Sequence, residues 1–103
     1  MPPRITYPTA IVLLAVSRGV RHGFDIMDAS GLPSGTVYPI LRRLEDAGMM
    51  RSSWEAVTKA RDDGRPPRRY YQITGAGLRA LDEAIERFPG LVRTLGGDAP
   101  APA

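Results

Sequence analysis

The sequence predicts a mainly α-helical domain carrying one small β-hairpin, and three observations lead there. Residues 10–16 are apolar without interruption, while residues 34–48 and 74–88 carry apolar side chains at helical spacing. Two short runs of bulky residues, 49–55 and 68–73, flank a polar stretch as the two strands of a hairpin would. The length, 103 residues, allows one domain with a single modest core and leaves no room for a second, catalytic one.

The elements follow in order. Pro8 and Thr9 suit a first helical turn, and the helix they start is expected to run to about Arg18. A helix apolar all round needs partners on more than one side. The core of so small a domain is expected to cover one face, leaving the other, with Ile11 and Leu14, for a second copy of the chain. A strand buried on both faces is the alternative for this segment. After a break at residues 19–22, Phe24, Ile26 and Met27 mark a short helix that ends at Ser30 and Gly31, glycine being common just past a helix end. Ser34 is a candidate N-cap for the next helix, where Val37, Ile40, Leu41, Leu44 and Ala47 fall within about 100° of one another until Gly48 stops it. Two short helices joined by a tight turn with Gly and Pro form a helix-turn-helix.

The stretch between the strands, residues 56–67, reads as a long, polar, basic hairpin tip, or wing. Thr74 is expected to cap a last helix with Leu78, Leu81, Ile85 and Phe88 on one face, ending at Pro89–Gly90. Leu91, Val92 and Leu95 suggest a further apolar turn, and the Gly-, Ala- and Pro-rich residues from Gly96 are expected to be disordered. The expected architecture is a winged helix-turn-helix over residues 1–74, a C-terminal dimerisation helix over 75–95 and a tail over 96–103.

Composition closes several routes to function. With no cysteine, there is no disulfide, thiolate metal site or cysteine nucleophile, and a single histidine leaves little for metal chemistry. Asp62–Asp63 has no His or Cys nearby and no glycine-rich phosphate loop is present, so neither an enzyme nor a bound cofactor is expected. The start lacks a signal-peptide layout and no apolar run reaches the roughly 18 residues of a membrane span, which predicts a cytoplasmic protein. The net charge of +3 decides little, but its distribution matters: Arg65, Arg68 and Arg69 cluster without an acid among them, whereas Asp82, Glu83 and Glu86 gather in the last helix.

The third helix turns Gly35, Tyr38, Pro39 and Arg42 away from its apolar stripe, with Thr36 and Arg43 on the flanks. A helix in the major groove reads bases mainly from its N-terminal half. Ser34, Thr36 and Tyr38 offer groups for base edges there, and Arg42 suits guanine or phosphate. An ordinary solvated face would also carry such residues, but Pro39 removes a helical hydrogen bond and implies a positional reason. On the wing, Gly64 permits a turn, Pro66–Pro67 stiffens the return, and Arg65, Arg68 and Arg69 are expected to meet phosphates or a minor groove.

Three segments resemble the PadR family of transcriptional regulators: residues 21–26 (RHGFDI), 31–48 (GLPSGTVYPILRRLEDAG) and 64–74 (GRPPRRYYQIT). The likeness extends over about residues 7–90. It implies a homodimeric winged-helix regulator of double-stranded DNA, usually a repressor, with residues 36–44 on the recognition helix and the last helix packed on the partner's first. The single C-terminal helix corresponds to the family's short branch, and the Pro89–Gly90 break departs from a continuous dimer arm. Several family members are released from DNA by aromatic or hydrophobic small molecules, which makes Trp54 a candidate plate for a flat effector; packing is the plainer role. His22 is expected to cap or pack, and Tyr70–Tyr71 to fill the hairpin. A winged helix used only for protein assembly is the rival reading, and single-strand binding is disfavoured because only Tyr38 is placed for stacking.

Overall fold

The computed structural model describes residues 5–95, so the tail over 96–103 lies outside the described residues. Helices α1 (Tyr7–Ser17), α2 (Gly23–Ser30) and α3 (Ser34–Asp46) lead to strand β1 (Met50–Trp54). A short helix α4 (Val57–Asp62), strand β2 (Arg69–Ile73), helix α5 (Gly75–Arg87) and a 3₁₀ turn (Leu91–Leu95) complete the chain. The mainly helical fold with one antiparallel hairpin is the one the sequence predicts.

Thr6 caps α1 by accepting from the Thr9 amide at 3.4 Å, and Pro8 sits in the first turn, where its missing N–H costs nothing. Every residue from Ala10 to Val16 is buried. Helices α5, α2 and α3, strand β2 and the 3₁₀ turn surround α1, and Leu91 after the Pro89–Gly90 break is fully enclosed. This corrects the expectation that one face of α1 needs a second chain. Ile11 and Leu14 belong to the core of a single copy, because five elements wrap the helix instead of one layer covering it. The expected dimer stripe of α5 is corrected likewise: Leu81 is buried, Ile85 and Phe88 pack partly against the core, and Leu78 alone of the four is exposed, at 47%.

Gly31 ends α2 in the left-handed region, at φ 73°, as a helix C-cap requires. Pro33 rather than Ser34 is the N-cap of α3, since its carbonyl accepts from Val37 N at 3.0 Å, and Ser34 is already helical. The α3 stripe of Val37, Ile40, Leu41 and Leu44 is buried as its spacing predicts. Strands β1 and β2 pair from Met50 opposite Ile73 to Trp54 opposite Arg69. The extended residues before α2 add a short third edge: Tyr71 N donates to Arg21 O at 2.9 Å, and His22 bridges Tyr70.

Thr74 caps α5 by accepting from Gly77 N at 3.2 Å, and its hydroxyl donates to Gly48 O at 2.7 Å. Those bonds draw α5 so close to the end of α3 that a Cβ on Gly77 would stand 2.1 Å from Met49 O. Only glycine fits there. The end of α3 is thereby held against a fixed floor.

Candidate nucleic-acid interface

Helix α3 presents Ser34, Gly35, Tyr38, Pro39, Arg42 and Arg43 to solvent, with Thr36 half-buried at the edge. Pro39 lies inside the helix on this face, so the Gly35 carbonyl has no intrahelical donor at an end already open to solvent. Tyr38 is the least free of the group. Its ring lies over Gly23, where an added Cβ would meet the Tyr38 hydroxyl at 2.6 Å, so the start of α2 seats the ring. Among the described residues Arg42 and Arg43 form no ion pair, and no acid precedes Glu45 in the helix.

The wing differs from the open basic tip the sequence suggests. It contains α4, and a buried carboxylate ties it shut. Glu55 accepts from Arg65 through both oxygens, with Nη2 to Oε2 at 2.8 Å, and from the Tyr70 hydroxyl at 2.7 Å. The Arg68 amide adds a longer bond at 3.4 Å, and Glu55 N donates to Arg68 O at 2.8 Å. The hydrogen bonds from Arg65 and then Tyr70 hold the Glu55 carboxyl down at about 2, against the opposing effect of burial. The same contact raises the Tyr70 hydroxyl above its ordinary value. Arg65 reaches Asp63 as well, at 3.1 Å. Its guanidinium is therefore committed inside the wing, a correction to its expected part as a phosphate contact.

Arg68 is exposed and free of ion pairs among the described residues. Arg69 is exposed but engaged: it donates to Ser52 Oγ at 2.9 Å and Glu45 Oε2 at 3.2 Å, and its guanidinium lies 5.5 Å from the Trp54 ring centre. Lys59 and Arg61, on α4, are exposed as well and escape a reading that treats residues 56–67 as loop. Lys59, Ala60 and Arg61 are good helix formers, but a helix of one and a half turns gives too short a pattern to recognise.

Trp54 is exposed rather than packed in the core. It borders a cleft of about 510 Å³ between the start of α2 and the hairpin, together with His22, Phe24, Tyr38 and Arg68. Phe24 and Trp54 are 73% and 66% exposed, a large apolar area beside Tyr38 of α3. His22 packs its ring on Tyr70 at 4.4 Å, the packing role expected of it, and among the described residues its Nδ1 has no hydrogen-bond partner. Tyr71 is buried and Tyr70 half-buried in the hairpin, as expected.

A helix-turn-helix followed by a hairpin wing defines the winged-helix class of regulators. The chain belongs to the PadR-like family of transcriptional regulators, whose sequence model matches residues 12–83. It is similar to the transcriptional regulator Rv3488 of Mycobacterium tuberculosis, 39% identical over 80 residues, which cover 77% of this chain and 64% of that one. The aligned segment thus spans just under two thirds of that relative. A PadR-family regulator from Clostridium difficile R20291 superposes with a TM-score of 0.70 at 19% identity, over 88% of this chain and 96% of the other. Bordetella bronchiseptica BpsR, whose DNA binding is regulated by 6-hydroxynicotinic acid, superposes with a TM-score of 0.68 at 21% identity, over 95% and 70%. At such identities the two structures speak for the fold alone. The family is one of regulators, not of enzymes.

Proposed function

We propose that this chain is a sequence-specific regulator of double-stranded DNA, a cytoplasmic repressor that acts as a homodimer on an imperfect palindrome. One observation carries the reading. An acid-free, solvent-facing stretch of α3 bears Tyr38, Arg42 and Arg43, and Tyr38 lines one cleft with Arg68 at the base of a wing that also exposes Lys59 and Arg61. The helix supplies planar and cationic groups for base edges, and the wing supplies charge for phosphates. Ser34, Gly35, Thr36 and Pro39 line the approach, Gly35 and Pro39 keeping it shallow. A two-fold dimer would offer two such helices to successive major grooves, with half-sites roughly 10 bp apart. Selection of bound fragments from genomic DNA, followed by titration of the recovered site and a scrambled duplex, tests this. Equal affinity for both sinks sequence-specific regulation, and no retention of either duplex favours the rival assembly module.

A small aromatic effector is a second reading, favoured by the cleft at Trp54. Two exposed aromatic rings and Arg68 at its rim suit a flat molecule, and an anionic one best. Trp54 lies against the start of α2 rather than on α5, so the ligand would sit beside the recognition helix and not in a dimer arm. The sole tryptophan reports directly. If a broad panel of aromatic acids changes neither its emission nor DNA affinity, effector control at this place is excluded.

A further inference from the structure

An acidic side chain in the middle of a cationic arm calls for a reason. By charge alone, Glu55 opposes DNA, and its removal should tighten binding through the more positive field. Yet its side chain is only 2% exposed and every donor around it belongs to the wing or its stem. Arg65 comes from beyond α4, Tyr70 from β2, and the Arg68 amide from the point where the chain re-enters the hairpin. Glu55 itself is the first residue after β1. One carboxylate therefore joins the exit and the return of the wing, and Arg65 extends the tie to Asp63 and to Pro66 O. Lys59, Arg61 and Arg68 ride on the segment so closed.

We propose that Glu55 is the positioning residue of the wing, an acid that strengthens DNA binding by fixing where the wing cations stand. The proposal rests on the DNA-binding reading above. Ordering a cationic loop at the moment of binding costs conformational entropy, and a clasp already closed in the free protein removes that cost. Glu55 touches no DNA in this scheme. Its effect passes through Arg65 and Tyr70 to the cations.

The test is a coupling measurement on the full chain with a mixed-sequence DNA duplex, well below the melting temperature. Glu55→Gln keeps the shape but breaks the charged pair, and should weaken binding roughly tenfold, the scale of one or two side chains left to be ordered. Tyr70→Phe, a milder change that removes one bond, should give a smaller loss in the same direction. Arg68→Gln should cost affinity in the parent and much less on the Glu55→Gln background, because an unpositioned wing has little contact left to lose. Tryptic cleavage at Lys59 and Arg61 should quicken in Glu55→Gln. Glu55→Gln that binds as tightly as the parent or tighter overturns the proposal, as does an Arg68→Gln loss of equal size in both backgrounds. A parent that binds no duplex overturns the DNA reading itself, and is told apart because trypsin still reports whether Glu55 holds the wing.

Discussion

Single side chains divide the interface into groups that face outward and groups that hold those in place. Tyr38 and Arg42 stand on the open face of α3, so truncating either to alanine should cost about 1–3 kcal/mol in affinity and relax preference at one base position per half-site. Arg68→Ala should weaken binding to all sequences alike and make the salt dependence shallower by about one unit. Titrations against the selected site and a scrambled duplex at several salt concentrations separate the two; uniform loss from Arg42→Ala would reverse the assignment. Glu55 adds a stability signature independent of DNA. Its carboxyl is held at about 2 in the folded chain, below its ordinary 4.5. A lowered value stabilises the fold fully above the ordinary value, and that stability fades as pH falls from about 4.5 through about 2. Acid unfolding should therefore show a steeper loss in the parent than in Glu55→Gln over that window. Superimposable curves would mean that Glu55 is not clasped in solution.

At the scale of elements, the packing of α5 on the end of α3 depends on one missing methyl group. Gly77→Ala must push Met49 O and Ile73 aside, and should destabilise by about 1–3 kcal/mol in chemical denaturation, whereas the open Gly35 tolerates the same change. Near-equal midpoints for the two variants would contradict this packing. The helices were legible because their caps and periods are local: Thr74 before a Leu78–Leu81–Ile85 stripe, Gly31 after α2, and Val37 to Leu44 at helical spacing all state their structure within a few residues. The wing was not legible. The Glu55–Arg65 pair spans 10 residues and the Glu55–Tyr70 bond 15, and nothing adjacent to Glu55 marks it as the acid that will be buried. Arg65 read alone is a cation on a loop, and only the return of the chain gives it a partner. Trp54 stays open in the sequence between packing and an exposed plate for a related reason: a bulky strand residue faces core or solvent according to register, which the pairing with Arg69 decides.

For the whole molecule, one continuous core runs from α1 through α3 and β2 to α5 and Leu91. The proposed homodimer would then use what this core leaves outside, chiefly Leu78 near the start of α5 and, toward the other end of that helix, Tyr7, which meets Phe88 edge-on at 5.2 Å. Leu78→Asp should give a folded chain of lower mass by sedimentation, while Leu81→Asp should unfold it. A folded Leu81→Asp variant, or an unshifted mass for Leu78→Asp, would place the dimer elsewhere. The wrapping of α1 also bears on how the protein is made. Its apolar residues leave the ribosome before every element that covers them, and their cover is completed only by Leu91, about 80 residues later; Arg87, which bonds Ile5 O across 82 positions, arrives scarcely sooner. At synthesis rates of about 5–20 residues per second, the segment waits for about 4–16 s without its final neighbours. During translation α1 is thus an apolar segment left open to aggregation, and a nascent chain stalled before α5 emerges would carry it uncovered.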